Sequence, residues 1–506
     1  MLQVLQWRTI TMIHCNSIIK LFNLNEYEAW VCGGSARDIY LKREVHSYDI
    51  AVNASFSDIK TLLADKIVSI DKVNAVIVIK YREKIFNISP FKKRLLTNTY
   101  PSWKFTNDII EDAKSRDFTI NALYYNPITK EWVDPCNGRT DADNKLIQFI
   151  GDWKDKVLES KIRVLRASVL LGILGKDWTM DYDTERAISN YKLKLLPLNP
   201  KIIHTEIQKV FTRCEKPSIV FDSWRTTGLL REFLPELYHC IGIDQSQKRA
   251  KLDLYDHIMY AIDSVPLTQE NHLCIRLAAL LHDIGKPHTQ TILHGARHFY
   301  NHEQVGKVLA FKIMSRWGMP RELKEKVALL VEHHLFNLTA SSKPSSLKKF
   351  IARVGANNIH DLLDLRIADR NGCGRSISMW KVDTLRRKLN TYLSDISPEN
   401  FQLDLSDKEI VSILKMTTET DLLEDSLIEA KKYLISKVTV GRVKNRKNNL
   451  KKVLKFLLKI NCPLDTPHLC KTWYDLNMGQ ADVFDNKTLK CGVYCGFNCD
   501  KILENK

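Results

Sequence analysis

From about Asp152 onward the apolar residues of this chain recur every three to four positions. The pattern runs through Val157–Leu174, Thr184–Tyr191, Thr205–Val210, Ser218–Thr226, Leu252–Ser264, His272–Leu281, Gln304–Trp317 and Arg321–His333. Segments with that period bury an apolar stripe helix against helix, so this length predicts an all-α body. Pro197, Pro200, Pro235, Pro266 and Pro320 punctuate it. Upstream the pattern differs. Ala29–Cys32 is a short apolar run ending at Gly33-Gly34, and Asp49–Val52, Ala75–Lys80 and Lys84–Ile88 look like strands of one sheet. Ile109–Lys114 opens a helix, and Asn121–Tyr125 begins another apolar stretch. The expected fold is an α+β head, its sheet mixed or antiparallel, followed by an all-α neck, body and tail.

A length of 506 residues holds three or more modules. We expect an N-terminal extension over 1–18, the head over 19–150, a helical neck over 151–245, a helical body over 246–380, a helical tail over 381–460 and a Cys-containing appendage over 461–506. With 44% hydrophobic and 27% charged residues, a mostly disordered chain is excluded. No apolar run reaches the roughly 18–20 residues that span a bilayer, so no membrane partner is expected. The N-terminal MLQVLQWRTITMIHC has one Arg and no clean apolar core. It does not read as a secretory signal, and its acid-free character leaves organelle import open. The scattered Cys32, Cys136, Cys214, Cys240 and Cys274 fit reduced core thiols of a cytoplasmic protein. Cys462, Cys470, Cys491, Cys495 and Cys499 crowd together with His468 in a spacing that is not a standard zinc motif, which leaves zinc or a loosely packed appendage open.

A formal charge of +17 favours a polyanionic partner, usually nucleic acid. Part of it is concentrated. Between Lys431 and Lys459 there are eleven Lys/Arg and no acid, interleaved with Leu and Val at helical spacing. This run makes Arg442, Lys444, Arg446, Lys451 and Lys452 candidate phosphate contacts.

The head carries an ordered series of motifs. Gly33-Gly34-x-x-Arg37-Asp38 can admit a phosphate close to the backbone and grip it through Arg37. Asp49-Ile-Ala follows, then Ser115-Arg116-Asp117-Phe118-Thr119-Ile120-Asn121-Ala122, then Asp134-Pro135-x-x-Gly138, then Glu159-Ser160-x-x-Arg163-Val-Leu-Arg166-Ala167. That series resembles the class II tRNA nucleotidyltransferase and bacterial poly(A) polymerase family, the CCA-adding enzymes and their relatives, over roughly residues 20–460. The resemblance implies a nucleotidyltransferase head whose Gly33, Gly34 and Arg37 hold a triphosphate. Arg116, Asp117 and Asn121 then contact the sugar, and Glu159, Arg163 and Arg166 belong to the helix that reads the base. It also implies that Asp49 is catalytic and binds Mg²⁺, that ATP and CTP are the substrates, and that tRNA is the partner, gripped by the basic tail.

The sequence departs from that family where the metals bind. The family's Asp-x-Asp pair reads Ser47-Tyr48-Asp49, and its third carboxylate is replaced by Asn87 in Phe86-Asn87-Ile88-Ser89-Pro90-Phe91-Lys92. The Asp of the base-reading helix becomes Ser160, and a further Arg becomes Val169. In-line attack on an α-phosphate needs hard anionic oxygens to hold Mg²⁺. One Asp with Ser and Asn supplies a single charge, so a weakened Mg²⁺ site is expected.

The body carries a second series. His257 precedes His282-Asp283-Ile284-Gly285-Lys286-Pro287, then His298-Phe-Tyr-Asn-His302-Glu303, His333-His334, and Asp369 in Arg366-Ile-Ala-Asp369-Arg. These resemble the HD phosphohydrolase superfamily. The resemblance implies that His257, His282, Asp283 and Asp369 share one divalent ion, with extra histidines available for a second. Imidazole and carboxylate donors suit Mn²⁺, Ni²⁺ or Zn²⁺, which activate water toward phosphoesters. The joint expectation is a CCA-adding-type enzyme with a fused HD domain. The alternatives are a degenerate head serving an RNA-end phosphohydrolase, and a tRNA-binding protein without chemistry.

Overall fold

The computed structural model describes residues 15–459, apart from residues 83, 96–101, 192–197, 245–251, 295, 340, 374–378, 396–402, 415–426 and several positions between 429 and 445. The Cys-containing segment 461–506, with its zinc reading, lies outside the described residues, as do Arg442 and Lys444. The chain forms two compact units, residues 1–335 with 361–377, and residues 336–360 with 378–506.

The head is a seven-stranded sheet. Its strands are β1 (Ala29–Cys32), β2 (Tyr48–Val52), β3 (Ile67–Asp71), β4 (Val76–Tyr81), β5 (Lys84–Pro90), β8 (Tyr124–Tyr125) and β9 (Trp132–Val133), in the order β3-β4-β5-β2-β1-β8-β9. A hairpin of β6 (Lys92–Leu95) and β7 (Ser102–Phe105) stands beside it. Only β2 and β5 pair in parallel, so the sheet is mixed. Their register sets Asp49 directly across from Asn87. The residues of β1 and β2 are almost wholly buried, which fits their near-continuous apolar sequences. A helix over 15–23 buries Cys15, Ile18, Ile19 and Phe22 in the same core as Ile50, Phe86 and Ile88. The head therefore begins inside the segment assigned to the extension.

The strand-to-helix turn that opens the nucleotide motif is abrupt. β1 ends at Cys32 and the helix Gly33–Tyr40 starts at once. Gly33 takes φ +64, and a Cβ there would lie 3.3 Å from the Arg116 guanidinium, so a side chain would be both strained and crowded.

The neck differs from its expected single helix. Trp153–Glu159 and Ile162–Leu174 are separate, because Ser160 adopts φ −161, ψ 105. Arg163 bridges the break by donating to the Lys156 carbonyl at 3.0 Å and pairing with Glu159. The Glu159–Arg166 motif thus lies on a junction, not in mid-helix. The rest of the period-3.6 region is helical as read, with Ser218–Thr226, Leu254–Asp263, His272–Leu281, His302–Arg316 and Arg321–His333. The all-α expectation is corrected at two places, since Thr179–Met180 is a short strand that pairs in parallel with Leu146–Ile147, and a hairpin interrupts the body. Gln290–Leu293 and Ala296–Phe299 form an antiparallel hairpin between Lys286 and His302. That stretch has no helical period, and its β-branched Thr291 and Ile292 favour a strand.

The helix His272–Leu281 is buried nearly all round, and Arg276 on it is fully buried. Its guanidinium donates to the carbonyls of Val265, Phe211, Cys214 and Glu215 at 2.7–3.1 Å. It ties the neck helix Pro200–Arg213 to the body. Replacing Arg276 by Met keeps the volume but leaves four acceptors unpaired. We expect about 3 kcal/mol or more of lost stability, read by chemical denaturation.

In the second unit, Leu405, Ile410, Ile413, Leu434, Leu450 and Leu454 form one apolar cluster. It includes the helices Asp407–Leu414 and Lys447–Lys459.

Candidate functional site

In the head, Gly33, Gly34, Arg37, Asp49, Arg116, Asp117, Asn121, Arg163 and Arg166 line one cleft of about 640 Å³, while Glu159 does not line it. The polar residues are wired to one another. Arg37, 3% exposed, donates to Asp38 at 2.7 Å and to Asn121 Oδ1 at 2.8 Å. Asn121 Nδ2 donates to Asp117 at 3.1 Å, and Asp117 accepts from Arg166 at 2.7 Å. Burial works against the Asp117 charge, but Arg166 and Arg163 hold its carboxyl well below the usual carboxylate range. Arg116 pairs with the buried Asp112 at 2.8 Å. Lys92, Lys209 and Arg213 also line the cleft, and sequence reasoning did not single them out. Burial takes Lys92 down to about 8. Their only sequence signal is a surplus of cations on motif-flanking segments.

The edge of that cleft formed by positions 47, 49 and 87 is sparse in acids. Asn87 Nδ2 donates to Asp49 Oδ1 at 2.8 Å. Ser35 Oγ donates to the Ser47 carbonyl at 2.7 Å and accepts from the Asp49 amide at 2.9 Å. Positions 47, 49 and 87 all reach the cleft, as the sequence comparison of motifs requires. They present one carboxylate, with one oxygen already taken by an amide. This donor set does not fit a pair of Mg²⁺ ions.

The body is the reverse case. His257, His282, Asp283 and Asp369 converge on one point. The Nε2 atoms of His257 and His282 lie 3.1 Å apart, each 3.2–3.5 Å from Asp283 Oδ2 and Asp369 Oδ1. The other oxygen of Asp283 faces a second group, 3.3 Å from His302 Nε2 and 3.7 Å from His334 Nε2. Both of those nitrogens are buried without a hydrogen-bond partner. Orphaned imidazole nitrogens around a buried carboxylate fit a cation. The opposite ring edges fix that orientation, since Nδ1 of His282, His302 and His334 meets the carbonyls of Ala279, Phe299 and Val331 at 2.7–2.8 Å. Each Nδ1–H then donates outward and leaves Nε2 bare.

Electrostatics agrees with the geometry. Burial disfavours charge on His257 and His282, yet Asp283 and Asp369 outweigh it and lift them to about 11 and about 9. The centre stabilises positive charge. Burial and the neighbouring His282 push His334 down to about 4, which keeps it in the neutral form that ligates. Lys286 Nζ is 2.6 Å from Asp283 Oδ2. A cavity of about 200 Å³ opens over the centre, lined by Asp283, Lys286, His302, His334, Leu335, Asp369, Arg370 and Cys373. Sequence reading left open which extra histidines take part. The structure brings His302 and His334 together with Asp283 in a second candidate group, and among the described groups His298 and His333 stay out.

Of the tail residues, Arg446 and Lys452 are exposed. Lys451 and its neighbour Lys447 are committed to Glu409, at 2.7 and 2.8 Å.

Residues 29–148 match the family described as Poly A polymerase head domain, and residues 223–371 match the HD domain family. The chain is 27% identical to the A-adding tRNA nucleotidyltransferase of Deinococcus radiodurans, over 61% of this chain and 71% of that one. It is 30% identical to the CCA-adding enzyme of Lactobacillus gasseri, over 38% of this chain and about half (48%) of that one. Among solved structures, the Bacillus stearothermophilus CCA-adding enzyme in complex with CTP covers 89% of this chain and 98% of its own, with TM-score 0.54 and 18% identity, which is a likeness of fold. Among the described residues, no helix is long and apolar enough to cross a membrane.

Proposed function

The chain belongs to the class II tRNA nucleotidyltransferase and poly(A) polymerase family and carries a fused HD domain, and from that premise we propose that it acts on tRNA 3′ ends with its efficient chemistry in the HD body. The observation that carries this reading is the contrast between its two centres. The body groups His257, His282, Asp283 and Asp369 on one side and His302 and His334 on the other side of a shared carboxylate. At positions 47, 49 and 87 the head offers one carboxylate, Asp49, already bonded to Asn87.

In this reading the head binds ATP or CTP through Gly34, Arg37 and the Asp117–Asn121 network, and transfers nucleotides slowly. When bound at the HD centre, a divalent transition ion such as Mn²⁺ or Ni²⁺ supplies Lewis acidity and an activated water for phosphoester hydrolysis. The protein groups do the rest. The carbonyl-anchored histidines hold their Nε2 atoms in place, Asp283 spans both groups, and Lys286 and Arg370 at the cavity supply cations for a phosphate. In the other unit, exposed Arg446 and Lys452 are offered to tRNA phosphates.

Two parallel reactions test this. Purified protein with Mn²⁺ or Ni²⁺ should open a 2′,3′-cyclic phosphate on an RNA end, while 3′-truncated tRNA with Mg²⁺ and labelled CTP or ATP should be extended only slowly. Rapid extension would overturn the view of the head. Absence of hydrolysis across Mn²⁺, Ni²⁺, Co²⁺ and Mg²⁺, in protein that holds no metal by elemental analysis, would overturn that of the body.

A further inference from the structure

We propose that the hairpin Gln290–Phe299, with Tyr300, is a base-stacking platform that admits the single-stranded 3′ end of an RNA to the HD centre. The inference rests on the phosphohydrolase reading of that centre and names its substrate class. Three observations carry it.

The first is size. The cavity over the centre is about 200 Å³. Sites that enclose a whole small molecule run to about 300–1,000 Å³. A phosphate and part of a ribose fill this one, so a nucleobase must rest outside, on whatever borders the mouth.

The second is what borders it. The hairpin lies between Lys286 and His302 in the chain, and both of those residues line the cavity. It is clamped to the centre at its base. The Phe299 ring lies 5.6 Å from Lys286 Nζ, and the Phe299 carbonyl meets His302 Nδ1 at 2.7 Å. The next residue, Tyr300, is 60% exposed. Its ring lies parallel to that of His298, with centroids 5.4 Å apart and planes within 2°, and its hydroxyl is 3.3 Å from His298 Nδ1. Two parallel, stacked rings joined by a hydrogen bond present an aromatic face two residues from a cavity-lining histidine.

The third is charge. From Ile284 to His302 there is no Asp or Glu, while Lys286, Arg297 and the histidines at 288, 294 and 298 fall within that stretch. Arg370 faces the cavity beside Asp369. Exposed aromatic faces among cations suit a single strand, whose bases stack and whose phosphates are drawn to the basic groups. An acidic peptide would match the charge but would leave the ring pair without a role.

The test compares uridine 2′,3′-cyclic phosphate with a short oligoribonucleotide ending in the same group, using Mn²⁺-loaded full-length protein. Tyr300→Ala should lower kcat/KM for the oligonucleotide roughly 5- to 100-fold, the usual range for one lost base stack. The mononucleotide should change by less than about twofold, and Tyr300→Trp should keep the wild-type preference. An equal loss on both substrates would make Tyr300 structural, and no loss on either would remove the platform. A second measurement does not depend on turnover. The oligonucleotide carrying 5-iodouridine next to its terminus should photocrosslink to His298 or Tyr300, as mapped by mass spectrometry. Crosslinks confined to the head cleft and to the basic helix Lys447–Lys459 would overturn the proposal, even if no substrate is hydrolysed.

Discussion

Asp283→Ala is expected to abolish metal retention and phosphoester hydrolysis together, with activity falling roughly 10³-fold or more, the scale of the several kcal/mol that metal-centred charge stabilisation supplies. Asp283 is the one residue common to both candidate metal groups, with Oδ2 turned to His257 and His282 and Oδ1 to His302 and His334. Its removal strips an anion from each group at once. The loss should exceed that of His302→Ala or His334→Ala, each of which leaves the His257–His282–Asp283–Asp369 group whole. Elemental analysis of the purified variant reads the metal, and opening of an RNA 2′,3′-cyclic phosphate reads the activity. Affinity for tRNA should stay within about twofold of wild type, because the basic helix Lys447–Lys459 belongs to the other unit. Retained metal with lost hydrolysis would make Asp283 a substrate-facing group and not a bridge. The variant also relieves four buried imidazoles of their shared counter-charge, so a thermal melt should accompany the assay to separate misfolding from ligand loss.

Much of this was legible because the informative signals are local. The Gly33-Gly34 turn, the strand at Asp49 and the His282-Asp283 doublet are each decided within a few residues, and the structure places them as read. The period of 3.6 gave the helices Ser218–Thr226, His272–Leu281 and Arg321–His333 to the residue. What could not be read depended on distant partners. His302 and His334 form a second candidate group only because their helices pack so that both meet the far oxygen of Asp283. His298 and His333, neighbours with the same chemistry, do not. The break at Ser160 is invisible to periodicity, since apolar residues on both sides stay in phase, and it is tied by Arg163, which also donates to the Ser115 carbonyl at 2.9 Å. Lys451 looked free within an acid-free run, but its partner Glu409 comes from another helix. Charge counts along a sequence overstate what remains exposed for RNA.

The Ser47→Asp, Asn87→Glu double variant is expected to raise nucleotide transfer by roughly 10²- to 10³-fold in Mg²⁺, on the reasoning that two restored anionic donors return several kcal/mol of charge stabilisation at about 1.4 kcal/mol per tenfold. The parallel register of β2 and β5 sets Asn87 across from Asp49, and Ser47 reaches the same cleft. Three carboxylates would then face one point, where Asn87 now spends its amide on Asp49 at 2.8 Å. Like charges that close repel unless a cation separates them. The variant should therefore be less stable than wild type in chelator and recover its stability when Mg²⁺ is added, whereas wild type should respond little. Each single change should give far less than half of the logarithmic gain, because a two-ion site assembles as a unit. Incorporation of labelled CTP and ATP into 3′-truncated tRNA reads the rate, and thermal melts with and without Mg²⁺ read the linkage. A double variant that folds, binds Mg²⁺ and still transfers no faster would place the limit at the junction between the helices Trp153–Glu159 and Ile162–Leu174. There Ser160 stands where the family has an acid, and Arg163 is already consumed by Glu159 and by two carbonyls.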